Sequence, residues 1–345
     1  MPSSRRASER AAIGPAQPSL LREMNERAVY GMIREMRPIS RAELARRSGL
    51  SKPTVSLALR TLVDSGLVGD VGMESGKPGR AGLLFDPIAD VCLAMAVVID
   101  PNSIRCSLHD LDAVELGAYD ETIESLQPDG VVDLIATVID KMLATSLDAK
   151  ARLTTASVAV PAIVKPATGD VSWPTPTGTV RTERLAERLA EVTGLSVTVT
   201  NSIHMAALGE ITSGAAAGHR DVALVAHGAQ RGVGVIVDGD LVVGAHGSAG
   251  LGANSGVAGA GLTDLVSAAL VVDPDLIVLS DISRPSDEQS LDSDGLEAIR
   301  RDAAGIGVVV SELGSAAVTA GAVAMAVAAA IEVAFETRLD RIAAV

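Results

Sequence analysis

The stretch SRAELARRSGLSKPTVSLALRTLVDSGLV, residues 40–68, decides the N-terminal fold. Ser40, followed three residues later by Glu43, reads as a capping box that opens a short helix with Leu44 and Ala45 turned inward. Gly49 ends that helix, because glycine enters the left-handed conformation without a Cβ penalty. Ser51 then caps a second helix over 52–65, with Pro53 in the first turn, where a missing N–H does no harm. Val55, Leu59, Leu62 and Val63 recur at helical spacing and form its predicted buried stripe. Lys52, Thr54, Ser56 and Arg60 are left on the outer face. Two helices joined by a tight glycine turn make a helix-turn-helix, whose second helix offers its N-terminal residues to the major groove.

The flanks extend this reading. Residues 19–36 carry Leu20, Leu21, Met24, Ala28, Val29, Met32, Ile33 and Met36 at helical spacing, and Pro38 stops the helix. Downstream, 67–71 and 81–85 read as two short strands around a turn rich in Gly, Pro and basic residues, which is a β-wing. The predicted unit is a winged helix-turn-helix over 19–86. Its candidate DNA-binding residues are Arg41, Ser51, Lys52, Pro53, Thr54, Ser56 and Arg60 from the helices, with Lys77 and Arg80 from the wing. Short polar groups and cations of this kind meet base edges and phosphates.

Charge divides the chain at the same place. The net charge of the 345 residues is −14, yet residues 1–82 hold 14 Lys+Arg and 8 Asp+Glu, a net of +6. The remainder holds 15 basic and 35 acidic residues, a net of −20. A basic module on an acidic body is the pattern of a DNA-binding arm, because the body repels phosphate. One Trp, two Tyr and two Phe leave too little material for an aromatic stacking surface. Two cysteines, Cys92 and Cys106, supply neither a disulfide framework nor a four-cysteine zinc site. Residues 1–18 are polar and basic and read as a disordered tail rather than a leader, so a cytoplasmic location is expected. Residues 313–331 are uncharged over the length of a membrane span, but they are Ala- and Gly-rich and read as a buried helix.

From residue 91 the pattern alternates between strands and helices. Strands are predicted at 91–99, 155–161, 196–200, 221–227, 276–279 and 308–310, with a hairpin over 233–243 turning at Asp238-Gly239-Asp240. Helices are predicted at 130–150, 182–193, 202–216, 295–304 and 315–335. This is an α/β body with mixed sheets, large enough for two lobes.

Several segments together resemble the ROK family of transcriptional regulators and sugar kinases. The helix-turn-helix and GKPGRAG resemble the family's N-terminal domain. AVPAIVKPATGDV, TNSIHMAALGE and GVGVIVDGDLVVGAHGSAGLGAN resemble segments of the ROK domain, so the likeness spans about 19–335. The resemblance implies a two-lobed actin-like/hexokinase-like (ribonuclease H-like) body over 91–345. Its lobes would be about 91–200 with the C-terminal helix, and about 201–314. It implies a sugar-responsive regulator of carbohydrate metabolism, with a sugar or sugar-phosphate effector near Asn201, Ser202, His246, Gly247 and Asn254.

The kinase chemistry that the resemblance would bring is depleted. Where the family has its first phosphate loop this chain has Asp100-Pro101-Asn102-Ser103, without glycine. At the second it has Gly228-Ala229-Gln230. The family's catalytic aspartate aligns with Ser202, which cannot serve as an unassisted base near neutral pH. Its sugar-contacting Glu and zinc-ligand His align with Leu251 and Asn254, and 253–265 contains no Cys or His. The expectation is a non-catalytic regulator, more often a repressor, with no metal or cofactor and no membrane contact. It would bind a palindromic operator in double-stranded DNA as a homodimer or homotetramer. An active kinase with a DNA-binding arm, and an effector-independent DNA-binding protein with a scaffold body, are the alternatives.

Overall fold

In the computed structural model, residues 18–73, 82–144, 147–175, 178–252, 261–288, 293–303 and 305–343 are described. The chain divides into two compact units between Val91 and Cys92. The first begins with helix α1 (Pro18–Met36), strand β1 (Ile39–Ser40), α2 (Arg41–Ser48) and α3 (Lys52–Asp64). Strands β2 (Val68–Met73) and β3 (Leu83–Pro87) follow, and the sheet order is β1-β3-β2. Val29, Tyr30, Ile33, Leu44, Val55, Ala58, Leu59 and Leu62 fill the core between the three helices.

Three expectations need correcting here. Val63 is 42% exposed, and Ala58 takes its place in the buried stripe of α3, because α1 covers the 55/58/59/62 face. Leu20, Leu21 and Met24 are about half exposed, since the core of this unit reaches only the C-terminal half of α1. Only half of the capping box forms: Ser40 Oγ accepts the Glu43 N–H at 3.4 Å, while the Glu43 carboxylate turns to Arg46 and Arg47. Strand β1 was not anticipated. At two residues it has no periodicity, and it exists through pairing Ile39 with Phe85 and Ser40 with Leu84.

The second unit is built from two five-stranded sheets with one topology. The first has β4 (Leu93–Asp100), β5 (Ser103–His109), β6 (Glu115–Thr122), β7 (Leu153–Val160) and β11 (Ser196–Asn201), in the order β11-β7-β4-β5-β6. A meander runs out from β4, and β7 and β11 then add in parallel on its other side. The second sheet repeats this with β12 (Val222–Ala226), β13 (Gly232–Val237), β14 (Asp240–Leu241), β15 (Leu276–Ser280) and β16 (Gly307–Val310). Helices α4 (Val131–Leu143), α5 (Leu147–Arg152) and α6 (Leu185–Thr193) connect the first sheet, and α8 (Leu262–Ala269) and α9 (Ser293–Asp302) the second. Between β7 and α6, strands β8 (Ile163–Val164), β9 (Val171–Thr175) and β10 (Gly178–Thr182) form a small antiparallel sheet.

Strands β5, β6, β8, β9 and β10 and helix α8 were missed in sequence, and the single helix expected over 130–150 is two. Strand β6 is an edge strand with one exposed face, so its residues are too polar to announce a strand.

Helices α7 (Ser202–Ser213) and α10 (Ala316–Ala343) pack against each other between the two sheets. Helix α10 lies on β4 and β7, and α7 on β12 and β13. Helix α10 is long and apolar enough to cross a membrane. Here Ala317, Val318, Ala322, Ala326, Ala330 and Phe335 are buried in the core, and Thr155 Oγ1 donates to Ala326 O at 2.9 Å. The crossing with α7 is made through Gly209 and Gly321. A Cβ on Gly209 would overlap the Ala317 carbonyl, and one on Gly321 the Met205 carbonyl.

Candidate functional site

The outer face of the helix-turn-helix is assembled by local signals. Gly49 ends α2 at φ +69°. Ser51 Oγ accepts the Thr54 N–H at 3.2 Å and lies 2.7 Å from Thr54 Oγ1. Ser56 Oγ donates back to Lys52 O at 2.8 Å. Thr54 and Ser56 are therefore half-buried and already hydrogen-bonded, while Arg41, Ser51, Lys52, Pro53 and Arg60 are exposed. Lys77 and Arg80 lie outside the described residues.

The cations fall into two kinds. Arg46 and Arg47 both donate to Glu43, whose carboxyl is held down at about 2 by these hydrogen bonds, Arg46 first. Arg41, Lys52 and Arg60 carry no ion pair or side-chain hydrogen bond to any described residue, so their charge is open to a partner. Leu57, 43% exposed on the same face of α3, was not singled out in sequence. An exposed leucine beside cations suits a thymine methyl. Ser51→Ala removes the cap of α3, and the DNA-binding unit is expected to lose about 1 kcal/mol in urea titration.

In the body, the positions that the resemblance aligned with kinase loops and base are held as follows. Asp100 and Ser103 close a tight β4–β5 turn, and the Pro101 and Asn102 carbonyls accept the Leu126 and Ile123 N–H groups. Gly228 rests against the Asp281 carboxylate, which lies beside His227, Arg231 and Arg284 around a second cavity. Leu251 is buried and apolar. Ser202 is 1% exposed, and its hydroxyl meets no described partner. Among the described residues no group of three or more His, Cys, Asp or Glu could hold a metal ion.

A cavity of about 300 Å³ runs along the free edge of β11, bounded by 164–169, α6, His204, Val243 and Gly247. Of the candidate ligand residues, Asn201 and Gly247 line it, while Ser202 and His246 do not. His246 is exposed, and Asn254 lies outside the described residues. Asn201 Oδ1 accepts the Ile203 N–H at 2.8 Å, and Nδ2 donates to Ala162 O at 2.9 Å, so each amide atom is tied to the backbone. Gly247 has φ +71°, and a Cβ there would overlap the Val164 carbonyl.

His204, which is not among the candidate ligand residues, lines the cavity. Its Nε2–H donates to Ala249 O at 2.9 Å. Burial pushes its pKa below the usual 6.5, against the Ala249 hydrogen bond. The unfolded chain then binds the proton more tightly, so this contribution to stability is complete above about pH 6.5 and falls away below it. Urea midpoints are expected to drop between pH 7.5 and 5.5. His204→Gln should flatten part of that drop, with His109 and His227, both also lowered by burial, accounting for more.

Comparison with known proteins matches this architecture. The ROK family model matches residues 102–252, and the IclR helix-turn-helix domain matches 32–71. The DNA-binding transcriptional repressor Mlc of Escherichia coli (strain K12) is 25% identical over 229 residues, 66% of this chain and 56% of Mlc. The chain thus spans little more than half of that relative's length. A crystal structure of a ROK family transcriptional regulator, a homologue of the E. coli Mlc protein, superposes with a TM-score of 0.68 at 18% identity. It covers 92% of this chain and 98% of that one. The ROK hexokinase from Thermus thermophilus superposes on 68% of this chain and 97% of its own, with a TM-score of 0.53 at 18% identity. Regulators and kinases therefore share the body's fold, and residues 102–252 match the ROK family behind a helix-turn-helix match at 32–71.

Proposed function

We propose that the protein is a sequence-specific DNA-binding transcriptional repressor in the cytoplasm, whose ROK body is non-catalytic and serves dimerisation and effector sensing. The observation that carries this reading is the α2–α3 face, where unpaired Arg41, Lys52 and Arg60 stand exposed in a segment of net +6. A second copy doubles the phosphate contacts and makes a two-fold operator. Lys77 and Arg80 extend the contact into the wing, and the cavity beside β11 receives the effector. Phosphoryl transfer is not expected, since Ser202 offers no base and the Asp100–Ser103 turn presents no glycine backbone to phosphate.

The test is DNA selection and footprinting on the full chain with and without sugars, sugar phosphates and small acids, beside a coupled ATPase assay with a hexose panel. A single enriched two-fold motif and no sugar-dependent ATP turnover are expected. Turnover would restore the kinase reading. A motif whose affinity no ligand changes would leave the body a scaffold.

A further inference from the structure

The cavity beside β11 offers few uncommitted hydrogen-bonding side chains for a sugar. A hexose buries several hydroxyls, and each one left unpaired costs about 1–3 kcal/mol. The polar side chains lining the cavity are Lys165, Thr198, Thr200, Asn201 and His204. Asn201 Oδ1 and Nδ2 each hold one backbone group, His204 Nε2 is engaged by Ala249, and Thr200 Oγ1 points at Met325 Sδ, 3.6 Å away, so the Thr198 hydroxyl and Lys165 are the lining side chains with no bond to a described residue. Around them stand Val164, Pro166, Ala186 and Val243.

One charge remains. Lys165 is exposed at this cavity and makes no side-chain hydrogen bond or ion pair with any described residue. Elsewhere in this acidic body Arg105, Lys141, Lys150, Arg152, Arg181, Arg184 and Arg220 meet carboxylates, whereas Lys165, like Arg188 and Arg301, has no ion pair among the described residues, and of these three Lys165 alone lines the cavity. His204 is kept neutral by burial and adds no second positive charge. A site with one cation, apolar walls and a volume of about 300 Å³ fits a ligand with one negative charge and a compact apolar body.

We propose that this cavity binds a small monocarboxylic acid with an apolar body, its carboxylate paired with Lys165 and its body against Val164, Pro166, Ala186 and Val243. The proposal rests on the sensing reading above and names the ligand class for that site.

The test uses the full chain, with calorimetry and thermal melting in millimolar phenylacetate and hexanoate. Phenylacetamide, glucose and glucose 6-phosphate are the comparison probes. Both acids are expected to bind saturably and raise the melting temperature, and the amide and the sugars are not. Lys165→Met should weaken phenylacetate about tenfold or more, and Lys165→Arg should hold it within about threefold. Ala186→Phe, which fills the cavity, should abolish binding while the unliganded melting temperature reports that the chain still folds. Three results overturn the proposal: neither acid binds, the acids bind but ignore both Lys165→Met and Ala186→Phe, or a sugar binds more tightly than the acids and is blocked by Ala186→Phe. Operator affinity measured with phenylacetate separates the two claims. Lys165-dependent binding with unchanged operator affinity supports the acid site and removes the sensing reading.

Discussion

Gly321→Val is expected to unfold the second unit or to destabilise it by roughly 3–5 kcal/mol, a loss at the far end of single-residue effects. Helices α7 and α10 meet backbone to backbone at Gly209 and Gly321, and a Cβ on Gly321 would occupy the place of the Met205 carbonyl. That carbonyl belongs to a helix which itself lies on β12 and β13, so it cannot withdraw without disturbing the second sheet. Valine adds two methyl groups to the overlap. The control is Ala328→Val, on the exposed side of the same helix, where only helix propensity changes and about 0.5 kcal/mol is expected. Urea unfolding followed by circular dichroism measures both. A Gly321→Val body as stable as that of Ala328→Val would mean that the helices cross elsewhere.

The double reversal Lys52→Glu/Arg60→Glu is expected to weaken operator binding by roughly a hundredfold or more at about 0.1 M salt. Both side chains are exposed and unpaired among the described residues, so the exchange leaves no buried partner stranded and should change stability little. It replaces two attractions to phosphate by two repulsions, and the slope of log affinity against log salt should shrink by about two units. Reversing Arg46 and Arg47 instead disrupts a cluster already neutralised in part by Glu43, and a smaller loss of binding is expected. Binding isotherms at several salt concentrations distinguish these cases. A larger loss on reversing Arg46 and Arg47 than on reversing Lys52 and Arg60 would place the phosphate contacts on α2 rather than α3.

What the sequence determined by itself lies where the signal is local. Gly49 and Ser51, with Pro53 behind the cap, define the turn and the start of α3 within a few residues, and the structure forms each of these features. Asn201 capping α7 is equally local. Tertiary structure decided the rest. Strand β1 exists through residues more than 40 positions away. Whether Ala58 or Val63 is buried depends on where α1 lies across α3, which helical spacing alone leaves open. The glycines at 209 and 321 look like weak points in two helices until the crossing shows that nothing larger fits. Lys165 is one of five lysines until Ala186 and Val243 are known to share its cavity. In each case the deciding energy comes from contacts between segments distant in sequence, and single-segment periodicity carries no record of them.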